Sequence, residues 1–171
     1  MRRRLAAIGF ATLAGVTVAT AQSSVEVQSW QIRDGVYMLV GPGANTTVHV
    51  GRDGVLVIDP QTAGAGSQVL AAIRTLSDKP VRFIVNTTSD ADHIGGNEVL
   101  AKSGQTLAGG NTRPGTVAGT GGAPIFPHEN VLTRLATGES TASALPTDTY
   151  FVKQKDMFVN GEAVQLLHAT A

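Results

Sequence analysis

The 171-residue sequence contains no cysteine. No disulfide can staple the fold, and no thiolate can serve as nucleophile or metal ligand. A transition-metal site must therefore be made of His, Asp or Glu, and histidine is itself scarce, with four in the chain. Charge is sparse too. The 13 basic and 13 acidic residues amount to 15% of the chain and cancel. Arg2, Arg3 and Arg4 lie at the very start, so the chain beyond residue 21 keeps ten basic against 13 acidic groups, a net of −3. With no basic stripe, nucleic acid is excluded as the expected partner. A membrane helix needs about 20 consecutive apolar residues, and the run at residues 5–19 is shorter. What the chain does have is 42% hydrophobic residues and 20 glycines, enough for one domain with a core and many loops.

The first 21 residues read as a targeting segment. "MRRR" is a basic start, "LAAIGFATLAGVTVA" an apolar stretch of small residues, and Ala19-Thr20-Ala21 a small-x-small cleavage site. The alternative is an N-terminal anchor. The short run and the well-formed cleavage site favour removal, giving a mature chain of residues 22–171, periplasmic or secreted by the general secretory route, with no integral membrane segment after processing.

From Val25 the chain reads as short strands: "VEVQSWQI", "VYMLVG", "NTTVHVG" and "VLVID", with Asp-Gly turns between several of them, predict an antiparallel meander. Val69, Leu70, Ile73 and Leu76 recur at helical spacing, with Ser67 as the expected cap and Pro80 as the stop. "VRFIVN" is the next strand, so strand, helix and strand form a βαβ crossover. Further on, "GGNEVLAKSG" predicts a short helix and "QTLAG" one more strand. "GNTRPGTVAGTGGAPIFP" predicts a long loop, and "PHENVLTRLAT" a helix entered at Pro127. "GESTASALPTDTYFVKQ" is irregular. A closing hairpin turns at Asn160-Gly161.

The chemistry concentrates in "NTTSDADHIGGN" after "VRFIV", where Asp90, Asp92 and His93 fall within four residues. Such donors can converge on a divalent metal, which lowers the pKa of a bound water. Asp59, at the corresponding end of the preceding strand, is placed to brace a ligand. A plainer reading stands beside this one. Asp90 or Asp92 caps the next helix, and Gly95-Gly96 simply allows a tight turn. A calcium loop would need more carboxylates than these. His49 is read as a surface or packing residue, His128 as serving the local turn and His168 as structural.

"VLVIDPQTAG", "VRFIVNTTSDADHIGGN" and "IFPHENVLTRL" together resemble the metallo-β-lactamase fold superfamily, especially its exported metallo-hydrolases with a "HENV" helix and a "PTDTY"-like stretch. The resemblance runs from about Trp30 to the last residue. It implies an α/β (α+β) fold, the N-terminal half of an αβ/βα sandwich with a mixed sheet and flanking helices. The family motif is Asn, Thr, His, x, His, x, Asp, His, then two glycines. Asn86, Thr87, Asp92, His93, Gly95 and Gly96 match it; Thr88 and Asp90 stand where the first two metal histidines belong. The resemblance implies a zinc-dependent hydrolase attacking an ester- or amide-type small molecule. Asp90, Asp92 and His93 would be the metal residues, Asp92 would orient the water and Asp59 would brace the site. With two imidazoles replaced, one zinc ion or none is expected. The family's next histidine belongs to a "HT-x-G-D"-like motif after the strand resembling "EAVQLLH", and His168 falls a few residues before it. The domain at residues 22–171 is therefore expected to be C-terminally incomplete. The alternative is a non-catalytic exported relative that binds a ligand or partner. A half-sandwich also exposes an apolar sheet face, which invites a second copy of the chain.

Overall fold

The computed structural model describes residues 26–106, 122–137 and 145–169. Its centre is a six-stranded sheet of β1 (Gln28–Arg33), β2 (Val36–Val40), β3 (Thr46–Gly51), β4 (Gly54–Ile58), β5 (Val81–Asn86) and β6 (Ile125–Pro127), ordered as numbered. The first four strands form the expected antiparallel meander. β4 and β5 are parallel, joined through α1 (Gly66–Leu76), which is the expected crossover. Four apolar residues run consecutively in "VLVI" because β4 is central and covered on both faces.

Strand alternation sorts the two faces. Leu39, Val48, Val55, Val57 and Ile84 meet Val69 and Ile73 of α1 and Leu100 of α3 (Asn97–Ser103). On the opposite face, Leu56, Val85 and Phe126 pack against Val159 and Leu166 of a second, two-stranded sheet. That sheet is the hairpin of β7 (Gln154–Val159) and β8 (Glu162–Leu167). The result is a mixed sheet between helices and a smaller sheet. On β1, Trp30 and Ile32 remain exposed, as do Phe158 and Leu167 on the hairpin. No described helix is long and apolar enough to cross a membrane.

The hairpin turns at Asn160 (φ 59°) and Gly161 (φ 86°), the two positive φ angles that its two-residue turn requires. Its tip is bolted to the β3–β4 turn. The Asn160 Oδ1 accepts from the Asp53 N–H at 2.9 Å, the Asn160 N–H donates to the Asp53 carboxylate at 2.7 Å, and Nδ2 donates to the Gly54 carbonyl at 3.1 Å. Alanine at 160 loses the side-chain bonds and disfavours the left-handed conformation. Asn160→Ala should cost about 2 kcal/mol in urea unfolding, and glycine there should recover only the turn's share.

Three elements differ from the sequence reading. Ser67 lies inside the first turn of α1 and does not cap it; a single 3-10 turn at Ala63–Ala65 leads in, and Ala65 is the capping position. The loop after "VRFIVN" contains a one-turn helix, α2 (Ala91–Ile94), separated from α3 by Gly95-Gly96. The Gly-rich stretch ends in β6, which pairs in parallel with β5. Pro127 is the last residue of this edge strand, where a missing N–H does no harm, and the helix it was expected to enter, α4 (Glu129–Thr137), begins two residues later. Residues 1–25 and 107–121 lie outside the described residues, and with them the targeting segment, most of "QTLAG" and the bulk of the expected loop. Gln105 and Thr106 are described and are not in a strand.

Candidate functional site

Because β4 and β5 run parallel, Asp59 and Thr87 emerge side by side at their carboxyl ends. Asp59 is buried and holds a left-handed backbone, φ 54°, with Gln61 beyond the proline at φ 61°. Such strain persists only where the surroundings over-determine it, and here they do. The Asp59 N–H donates to the Val85 carbonyl at 3.0 Å, and its own carbonyl accepts from the Thr46 hydroxyl at 2.6 Å. Its carboxylate accepts from the Thr87 N–H at 2.8 Å and from the Thr87 hydroxyl, and meets His93 Nδ1 at 3.0 Å. Asp59 thus holds His93 through Nδ1, and among the described residues Nε2 has no hydrogen-bond partner. This is how a metal-bound histidine is held.

The other expected ligands do not join it. Asp90 occupies the position before α2, yet its carboxylate caps nothing; it accepts from the Thr88 hydroxyl at 2.9 Å. Thr88 and Asp90 therefore satisfy one another. Asp92 is exposed in the first turn of α2. No hydrogen bond among the described residues ties its carboxylate to Asp59 or His93. Among the described residues, no three of His, Asp and Glu gather as a group that could hold a metal. Among the described residues the donor set does not fit a zinc ion: one braced imidazole is present, Asp90 is engaged by Thr88, and no third donor gathers with them.

The paired glycines serve proximity. Gly95 and Gly96 have helical φ values of −61° and −80°, which any residue adopts. A Cβ on Gly95 would lie 2.2 Å from the Ala63 nitrogen, and one on Gly96 would lie 2.1 Å from the Pro60 carbonyl oxygen. They let α2 and α3 press against the loop that follows Asp59. Two more contacts fix this corner: Asn86 and Asn97 exchange amide hydrogen bonds at 3.1 and 2.9 Å, and Ile94 packs with Val131 and Leu135 of α4.

Beside the motif opens a cavity of about 570 Å³. Its polar lining includes Thr87, Thr88, His128, Asn130, Arg134 and His168, and its apolar floor Ile58, Val85 and Leu166. His128 and His168 stack in parallel, ring centres 3.8 Å apart. His128 Nδ1 accepts the Asn130 N–H at 3.2 Å, the local-turn role expected of it. His49 is buried in β3, a packing position. The sequence offered no signal for the His128–His168 pair, whose members are remote in the chain. Nor did it mark Thr87 as the partner of Asp59; only its place at a strand end opposite Asp59 could have done so.

Known proteins place these features. The family model described as the metallo-beta-lactamase superfamily matches residues 40–154. No curated protein matches the chain. Among solved structures, the chain is similar to a Cronobacter sakazakii metallo-beta-lactamase described by a HARLDQ motif: 20% identity, TM-score 0.58, covering 81% of this chain and 51% of that one. It is also similar to BJP-1, a subclass B3 metallo-beta-lactamase of Bradyrhizobium japonicum, at 17% identity and TM-score 0.56, covering 85% of this chain and 53% of that one. A Thermotoga maritima flavoprotein shares the fold at 13% identity and TM-score 0.57, over 83% of this chain and 36% of that one. The chain thus spans about half the length of these two lactamases. With a family model matching about two thirds of its residues, the chain belongs to the metallo-beta-lactamase superfamily.

Proposed function

We propose that this chain uses the metallo-hydrolase fold to bind a small molecule without zinc chemistry, as a non-catalytic relative of the hydrolases. One observation carries the reading: Thr88 and Asp90, at the two histidine positions, are hydrogen-bonded to each other. A hydroxyl and a carboxylate that satisfy one another form a stable turn, and a zinc ion would have to break that bond to recruit either. The cavity beside them is of the size that small ligands occupy. In this proposal the protein is exported, a reading supported by the basic start, apolar run and small-x-small site of residues 1–21.

A second reading is favoured by the Asp59–His93 contact. In it the chain is part of a one-zinc hydrolase of an ester- or amide-type substrate, with Asp92 and His93 as ligands completed from outside the described residues.

The double substitution Thr88→His with Asp90→His tests the frame of the motif. Zinc affinity measured by competition with a chromophoric chelator should rise by about tenfold or more over the parent chain, since each restored ligand replaces a poor one. An unchanged affinity would place the histidine positions elsewhere and remove the basis for calling the site replaced.

A further inference from the structure

The cavity beside β5 has a lopsided chemistry. Among the described residues Arg134 is its one ionic lining residue, and no Asp or Glu lines it. Among the described residues the Arg134 guanidinium makes no ion pair. Asn130 and Arg134 are four residues apart on α4 and so share one face.

Asn130 also fixes both imidazoles. Its backbone N–H donates to His128 Nδ1, so the proton of neutral His128 sits on Nε2. Its side-chain N–H donates to His168 Nε2 at 3.1 Å, so the proton of His168 sits on Nδ1. Each stacked ring is thus left with a donor, although His128 is only 7% exposed. Burial pushes the Tyr150 phenol up, so its hydroxyl remains a donor at neutral pH. Tyr150 lines the cavity too and meets the His128 ring edge-on. The lining also carries hydrocarbon, from Ile58, Val85 and Leu166. A cation and several donors, with no carboxylate among the described lining residues, select a negative charge; the apolar lining selects a hydrophobic body.

We infer that this cavity binds a small organic monocarboxylate, with its carboxylate on Arg134 and the His128 and His168 donors and its apolar body against Ile58, Val85 and Leu166. The inference rests on the proposed reading of the fold as a binding scaffold and names the ligand class.

Calorimetric titration of the full chain in EDTA tests it, with phenylacetate, phenylacetamide and inorganic phosphate as probes. Phenylacetate should bind about tenfold tighter than the neutral amide or phosphate, and Arg134→Gln should erase that preference. Arg134 is exposed, so the variant should fold. Equal binding of acid and amide would overturn the assignment, as would an unchanged preference in Arg134→Gln, phosphate matching phenylacetate, or no binding of phenylacetate at millimolar concentration. A preference that emerges only after zinc is added would also overturn it, by placing the carboxylate on a metal. Failure of the metal-free reading alone is seen instead in zinc stoichiometry, which these titrations do not measure.

Discussion

Asp59→Ala should lower the unfolding free energy by about 3 kcal/mol, roughly 6–12 °C in Tm for a domain of this size. The substitution removes three interactions at once: with the Thr87 N–H, the Thr87 hydroxyl and His93 Nδ1. It also puts a residue poorly suited to φ 54° at a buried position. The strained conformation is held because the backbone of Asp59 is tied to Val85 and Thr46 on either side. With the carboxylate gone, the two parallel strand ends lose their bridge and His93 loses its orientation. Asp59→Asn is the informative comparison. Asparagine tolerates the left-handed region and can still accept from the Thr87 N–H, so less than half of the loss should remain. Thermal and urea denaturation of both variants measure the difference, and an alanine variant as stable as the parent would show that the bridge is incidental.

Gly96→Ala should be comparably severe, about 3 kcal/mol. The added methyl would sit 2.1 Å from the Pro60 carbonyl oxygen and 3.2 Å from its carbon. These are main-chain atoms, and the loop bearing them is stiff, bracketed by Asp59 and Gln61 at positive φ. Relief requires α3 to move away, which breaks the Gly96 N–H bond to the Gln61 carbonyl at 3.1 Å. It would also loosen the Asn86–Asn97 pair. Gly64→Ala is the control. Nothing lies within 4 Å of a Cβ there, and the change should stay within about 0.5 kcal/mol. The contrast separates close approach from any general effect of adding a methyl to a glycine-rich segment.

The parts of the fold that were legible in the sequence are those written in local periodicity. "VLVID" and "VRFIV" are buried parallel strands, α1 carries its apolar stripe at helical spacing, and Asn160-Gly161 announces a hairpin by its backbone needs alone. β6 was hidden because a three-residue edge strand in a Gly- and Pro-rich stretch is specified by its pairing with β5, and that pairing is not local. At the site, the place of Asp59 at the neighbouring strand end could be read, and the structure has its carboxylate meet His93. The role of Asp90 could not. Cap and ligand were the two options that its type suggested, and the structure gives its carboxylate to Thr88 instead. Gly95 and Gly96 looked like turn residues; their φ values show that the space they leave is what matters. The cavity depends on His128 and His168, which no spacing rule connects.

The account turns on whether the donors around Asp59 still make a home for zinc. The direct measurement is a zinc titration of the purified chain after dialysis against EDTA, read by calorimetry and by metal analysis of the recovered protein. The account predicts well under one equivalent retained and no saturable binding at micromolar zinc. One tightly held equivalent, lost on His93→Ala, would contradict it and restore the metal-dependent hydrolase reading.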